Sequence, residues 1–334
     1  MSQLIAVKLG SSNTAIYKAD EGLVLFEPSL VAVQAGSGVR TVVAVGQKAS
    51  RMQGRTEDST VVCSPIFEGK IRDVELATVM LKSFISRVVP SFIVKPKIKA
   101  LLCVPMGISL KDRKEFELVC HNAGIQDVDI IPSVVAGAIG YNLSIGEPVG
   151  KCLVNIGGGS TDVASVSLNS IIEGVNIGIG GNNLDRAIEQ AIIDVYKLRI
   201  GDGVAQKLKE EIGSLYPNDS SDAEVSGVDV ESGVAKTIVV DSRVIYEAII
   251  VYFDKIVDAI KTVIISSPAN IIEDIQNEGV YIMGGTSLMT GAEQYFRKRL
   301  SLPIHIQDNT TAIDVIGAGK VLKDNKLYKT VTRL

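Results

Sequence analysis

Val7-Lys8-Leu9-Gly10-Ser11-Ser12-Asn13-Thr14 and Val154-Asn155-Ile156-Gly157-Gly158-Gly159-Ser160-Thr161 read as one pattern used twice. In each, an apolar run ends in a glycine and hydroxyl turn, and a second apolar run leads away, which is the signature of strand, turn, strand. Positions 8 and 155 stand 147 residues apart in a chain of 334. An offset close to half the length predicts two similar domains, each opening on the same hairpin. Working outward, strands are expected at 23–27, 30–33 and 40–45, and a helix at 74–88, where Leu76, Met80, Phe84 and Val88 repeat every four residues. A short buried strand at 100–104, a charged helix at 111–123, a strand at 128–131 and a small-residue helix at 134–142 complete the first half. The second half predicts strands at 151–156 and 163–168, helices at 184–198 and 202–212, a strand at 237–240, a long helix opened by Ser242, a strand at 279–283 and a last helix at 309–322. The stretch 218–232 is polar, rich in Asp and Ser, and leads to the strand at 237–240. Strands followed by helices, twice over, describe an α/β protein with mixed sheets.

The composition narrows the function. The chain has 34 basic and 38 acidic side chains, a formal charge of −4, so it lacks the positive field of a nucleic-acid coat and no nucleic-acid partner is expected. No apolar run reaches the length of a membrane span. Met1-Ser2-Gln3-Leu4 has neither a basic segment nor a long apolar one, so no signal peptide is expected. The cysteines, Cys63, Cys103, Cys120 and Cys152, form no CxxC pair, and three lie in apolar stretches, as small buried residues in a reducing compartment do. His121 and His305 stand in no motif, so both read as structural and no metal ligand set is assigned.

Each glycine turn presents several backbone N–H groups with no bulky side chain in the way, which suits an anion. Hydroxyls of Ser11, Ser12, Ser160 and Thr161 add donors. Two such turns facing across a cleft would clamp a diphosphate. A third turn, Met283-Gly284-Gly285-Thr286, would sit where a base or its α-phosphate lies. A P-loop is excluded: Gly146-Glu147-Pro148-Val149-Gly150-Lys151-Cys152 has three residues between its glycines, not four, and ends in cysteine. No GxGxxG follows the first strand, which argues against a dinucleotide fold.

The ordered set resembles the actin-like ATPase superfamily, and within it the MreB family of bacterial actins. The resemblance rests on both phosphate segments, on Glu27-Pro28-Ser29-Leu30-Val31-Ala32, on Lys209-Glu210-Glu211-Ile212-Gly213-Ser214, on Gly284-Gly285-Thr286 and on 313–319, and it covers nearly the whole chain. It implies an actin-like fold, α/β, with two duplicated RNase H-like domains around a nucleotide cleft. One domain is expected over 1–143 plus 313–334, with a subdomain at about 33–65. The other is expected over 144–312, with a subdomain at about 182–241. ATP or ADP would be held by Lys8, Gly10, Ser11, Ser12, Asn13, Gly157, Gly158, Gly159, Ser160, Thr161, Lys209, Glu211, Gly284, Gly285 and Thr286, with Lys209 and Glu211 reaching the nucleoside.

The chain departs from the family pattern where catalysis is concentrated. The first phosphate segment of the family opens with an aspartate that holds water on Mg²⁺, and here that position is Lys8. The second opens with another aspartate, here Asn155. The glutamate that orients the attacking water aligns with Ser133, while Ser160 keeps the hydroxyl near the γ-phosphate. Lys8 can pair with a phosphate oxygen and partly replace a weakly held Mg²⁺. Ser133 cannot accept a water proton as a carboxylate does. The expectation is a filament subunit that binds nucleotide with weak or absent hydrolysis. The alternatives are an active ATPase in which Asp162 or another carboxylate compensates, and a small-molecule kinase of the same fold.

The resemblance also implies self-assembly into antiparallel double protofilaments at the inner face of the cell membrane, supporting cell shape or motility, with paralogous filament subunits as further partners. Two segments could reach lipid: Phe92-Ile93-Val94, which reads equally as a strand entering the core, and the basic tail with Lys320, Lys323, Lys326, Lys329 and Arg333, which reads equally as a solvated end.

Overall fold

The computed structural model describes residues 2–36, 39–55, 59–89, 96–308 and 310–332. The internal duplication is explicit in its two five-stranded sheets. In the first, Ser2–Leu9 pairs antiparallel with Asn13–Lys18, which pairs with Gly22–Pro28. On its other side Ser2–Leu9 runs parallel to Lys97–Val104, and that strand to Asp127–Pro132. In the second, Lys151–Ile156 pairs antiparallel with Thr161–Ser167, then Ser170–Ile177, and on its other side parallel with Val280–Met283, then Ile304–Ile306. Strand order and direction match one for one. A smaller antiparallel sheet is attached to each half: Val31–Gly36 between Val39–Val45 and Thr60–Cys63, and Asp222–Asp229 between Leu198–Ile200 and Ala235–Asp241.

Three apolar cores follow. Helices Val74–Val88 and Leu110–Asn122 cover the outer face of the first sheet and bury Met80, Phe84 and Phe116. Helices Gly181–Tyr196 and Ser242–Ser266 cover the second, around Ile188, Ile249 and Phe253. The third core lies between the sheets and joins Ala6, Leu101 and Ile131 to Leu153, Ala164 and Met283 through helices Ser133–Gly140 and Ile313–Val321. These two helices touch backbone to backbone. A Cβ on Gly317 would lie 1.8 Å from the Ala136 carbonyl oxygen. That contact explains why Ser133-Val-Val-Ala-Gly-Ala-Ile-Gly140 is built from small residues.

The expected elements need several corrections. The Asp/Ser-rich stretch 218–232 contains the strand Asp222–Asp229, whose Ala223 and Val225 face inward while its polar residues face solvent. Asp241, not Ser242, caps the long helix, accepting a hydrogen bond from the Arg243 N–H at 2.7 Å. The tail does not extend freely: helix Asn325–Val331 docks on the first sheet, with Val331 buried and the Tyr328 hydroxyl donating to Asp129. Lys320 Nζ donates to the carbonyls of Ile139 and Gly140 and to Asn142 Oδ1, so it caps the Ser133–Gly140 helix rather than facing solvent. Phe92-Ile93-Val94 and Arg333 lie outside the described residues. Among the described residues no helix is long and apolar enough to cross a membrane.

The helix contact makes a test. Alanine is ordinarily the better helix former by about 1 kcal/mol, yet Gly317→Ala is expected to destabilise the chain by about 2–3 kcal/mol through overpacking. Urea denaturation measures this, and a gain in stability would show that the two helices do not meet as described.

Candidate functional site: a cleft between paired turns

The two hairpin turns are closed by the same hydrogen bond, Gly10 N–H to the Asn13 carbonyl at 3.1 Å and Gly157 N–H to the Ser160 carbonyl at 2.9 Å. Because the sheets are related by duplication and held by the central helices, the turns face each other and meet. A Cβ on Gly158 would fall 1.9 Å from Ser12 Oγ, and one on Gly159 would fall 2.3 Å from Ser11 Oγ. Only glycine permits this approach. Ser12 Oγ donates across the junction to Asn182 Oδ1 at 2.8 Å. Gly181 and Asn182 N–H donate to the carbonyls of Gly157 and Gly158, which ties the second turn to the start of the next helix.

Beside this junction lies a cavity of about 320 Å³. Of the residues expected to hold a nucleotide, Lys8, Gly10, Ser11, Ser12, Asn13, Gly157, Gly158, Lys209, Gly285 and Thr286 line it. Gly159, Ser160, Thr161 and Gly284 do not line it. Thr161 Oγ1 donates to the Ile179 carbonyl at 2.7 Å, and Gly284 packs on Ile156 and Asn155. Glu211 is exposed and off the wall, where Glu210 stands instead with Gln206, Lys209 and Gly213. Those four share one helical face at i, i+3, i+4 and i+7, whereas Lys209 and Glu211, two apart, cannot. Phe26, Leu288, Met289 and Thr311 extend the wall and were not anticipated. Lys209 Nζ donates to the Gly181 carbonyl at 3.1 Å and pairs with Asp185 at 2.7 Å.

The charge beneath the phosphate turns is arranged unexpectedly. Lys8 Nζ lies 2.5 Å from Asp314 Oδ2, and Asp314 is 1% exposed. Burial works against the ammonium, but the Asp314 carboxylate outweighs it and holds Lys8 above the ordinary lysine range. Asp162 is also buried. Its Oδ1 accepts from the Met106 N–H at 3.0 Å and from Asn176 Nδ2 at 2.6 Å. Burial lifts its carboxyl to about 6 despite these hydrogen bonds and nearby Lys8. Magnesium is ordinarily held through one or two carboxylates plus substrate phosphates. Here the two nearest carboxylates are taken up, one by an ammonium and one by the protein's own N–H groups. Among the described residues no three His, Cys, Asp or Glu side chains gather. A hydrated divalent cation does not fit this donor set.

Ser133, Asn155 and Ser160 are not brought together on the cavity wall. Ser133 is buried at the first turn of its helix, Asn155 is buried beside Gly284, and Ser160 Oγ faces the hairpin of Ile66–Phe67 and Lys70–Ile71. That hairpin was not anticipated. Its tip is tied to the first turn by Gly69 N–H donating to Ser11 Oγ at 3.0 Å, and it crosses to the second half where Glu68 pairs with Arg186 at 3.5 Å and the Arg186 guanidinium lies 5.2 Å from the Phe67 ring centre.

Duplicated sheets of this order, meeting at paired glycine turns over a cleft, define the actin-like fold. The chain belongs to the MreB/Mbl protein family, whose model matches residues 2–330. It is 33% identical to the cell shape-determining protein MreB of Escherichia coli K12 over 323 residues, 96% of this chain and 93% of that one. Its structure is similar to that of MreB5 of Spiroplasma citri bound to AMPPNP, with a TM-score of 0.89 and 28% identity over 100% of this chain and 99% of that one. The MamK double helical filament shares the fold at 19% identity, with a TM-score of 0.81 over 97% of this chain and 99% of that one.

Asp162 gives a pH test. Its folded value lies above that of an ordinary aspartate, so its stabilising contribution is complete at low pH and is lost as pH rises through about 6. Asp162→Asn keeps the Oδ1 acceptor and removes the buried charge. It is expected to stabilise the chain by about 2 kcal/mol above pH 6, with the gain fading between about pH 6 and pH 4. Thermal melts of parent and variant across that range check it, and equal melting temperatures at pH 8 would refute it.

Proposed function

We propose that this chain is a filament subunit that binds adenine nucleotide in the cleft and hydrolyses it slowly or not at all. It would form double protofilaments at the inner face of the cell membrane, alone or with paralogous subunits, and support cell shape or motility. The two domains of the filament subunit would be 1–143 plus 313–334 and 144–312. Family membership and the likeness to a nucleotide-bound MreB5 support the binding reading. The observation that carries the loss of hydrolysis is at the first turn: Lys8 stands on the cavity wall, already paired with Asp314, while the cavity's carboxylate, Glu210, belongs to the helix Val204–Ile212 beside Lys209. Phosphoryl transfer depends on positioning the water and neutralising developing charge. A missing general base removes a factor of roughly 10²–10⁴.

An active ATPase is the second reading, and Asp162 is the residue that favours it, as a buried carboxylate close enough to sense Lys8. Its oxygen is already committed to Met106 and Asn176, which argues against a catalytic part.

Two measurements test the proposal. Purified chain given ATP is expected to pellet as polymer while releasing phosphate no faster than the nucleotide's background decay. Steady release on assembly would favour the second reading. Ser133→Glu, Asn155→Asp and Lys8→Asp, with Asp314→Asn to avoid two facing carboxylates, are expected together to raise phosphate release at least about tenfold. A variant that binds nucleotide and stays inert would mean these positions are misassigned.

A further inference from the structure

Lys8 and Asp314 are each unusual in their own segment. Lys8 is the charged residue of its strand and follows the buried apolar run Ile5-Ala6-Val7, and Asp314 stands in the first turn of a helix whose neighbours Ile313 and Val315 are buried. An ion pair in such a place is weak evidence of a stability role, since apolar residues of like volume commonly serve as well. What distinguishes this one is its position. Asp314 is closed off from solvent, whereas the Lys8 side chain keeps 19% of its surface and reaches the cavity wall beneath the first turn. Asp314 is its one ion-pair partner among the described residues. The carboxylate is fixed in turn, its Oδ1 accepting from the Val315 N–H at 2.8 Å. The Lys8 ammonium is therefore anchored on a fixed, solvent-closed carboxylate, while its side chain forms part of the cavity wall together with the residues of the first turn.

We propose that the phosphate end of the cleft is a metal-free anion site, in which Lys8 takes the charge of a nucleoside di- or triphosphate directly and Asp314 acts as the positioning residue that aims and tempers it. The inference rests on the nucleotide reading given above. A divalent cation bound to the phosphates would approach a fixed ammonium, with the neighbouring carboxylates of Asp314 and Asp162 already engaged. The site accordingly selects the free polyphosphate over its magnesium complex. Asp314 lowers affinity, because part of the Lys8 charge is spent on it, and in exchange keeps the side chain in place.

Calorimetric titration of the unmodified chain with ATP and with ADP, in excess EDTA and in millimolar Mg²⁺, is the primary test. Binding is expected to be at least as tight in EDTA and to weaken with ionic strength, because a fixed cation is screened by salt. Asp314→Asn is expected to tighten binding in EDTA by about five- to tenfold, as an ammonium with a weaker counter-ion offers more charge to the ligand. Lys8→Met with Asp314→Val removes the pair without leaving a lone buried charge. It is expected to keep the fold and to weaken binding at least about tenfold while flattening the salt dependence. Should EDTA cost the unmodified chain tenfold or more in affinity, the metal-free site is overturned while the nucleotide reading survives. Unchanged affinity in the double variant would also overturn it. Absence of binding in both buffers would end the nucleotide reading and this inference together.

Discussion

The cleft depends on how closely two short helices can approach. Ser133–Gly140 and Ile313–Val321 meet at backbone distance, and the third core grows around them, joining residues of both sheets. Interiors packed at crystal-like density transmit small displacements. A spacer one methyl wider would push the sheets apart at their strand ends, where the turns at Gly10 and Gly157 now touch. The anion site is thus a consequence of small residues some distance from it, and the glycines of the turns answer the glycines of the helices.

Once the turns are set facing each other, electrostatics decides what they can do. Facing turns concentrate N–H groups on one point, which serves any phosphate. Charge beneath the point separates holding from cleaving. A carboxylate there would hold a hydrated cation and lend a base to water. This chain has instead an ammonium bound to a buried carboxylate, and a second carboxylate bound by the Met106 N–H and by Asn176. On the proposed reading, binding would survive the exchange because the backbone donors do not depend on side chains, and hydrolysis would not, because water must be oriented by an acceptor.

Much of this was legible in the sequence, and the gaps have physical causes. The duplication was visible because a strand, a glycine turn and a second strand impose the same residue types twice, down to the matched hydrogen bonds closing each turn. The hairpin at 66–71 was not, since strands of two residues are too short to show an alternation, and Glu68-Gly69 alone does not mark a bridge across a cleft. Helical phase, a rule the sequence did contain, sets Glu210 rather than Glu211 on the cavity wall, because Gln206, Lys209, Glu210 and Gly213 share a face. Asp314 was missed although its signal was present: one carboxylate in a buried apolar helix needs a cation, and Lys8, the charged residue of its strand, was the corresponding orphan. Sequence reading treated each by itself, and pairing them requires knowing that strand and helix are neighbours.

The contacts at the mouth of the cleft differ in kind from those at its hinge. The hinge is apolar, buried and close-packed. The mouth is closed by Ser12 with Asn182, by Glu68 with Arg186 and by the Arg186 guanidinium over Phe67. Hydrogen bonds of this sort contribute about 1 kcal/mol each, and an exposed ion pair up to about 1 kcal/mol. Exchange of these contacts for a bound polyphosphate is therefore small against the cost of disturbing the third core. On the proposed reading, an anion that entered would compete for Ser12 and Lys8, which already have protein partners in Asn182 and Asp314. Its hold would then be set by how much more tightly it binds these groups than those partners do.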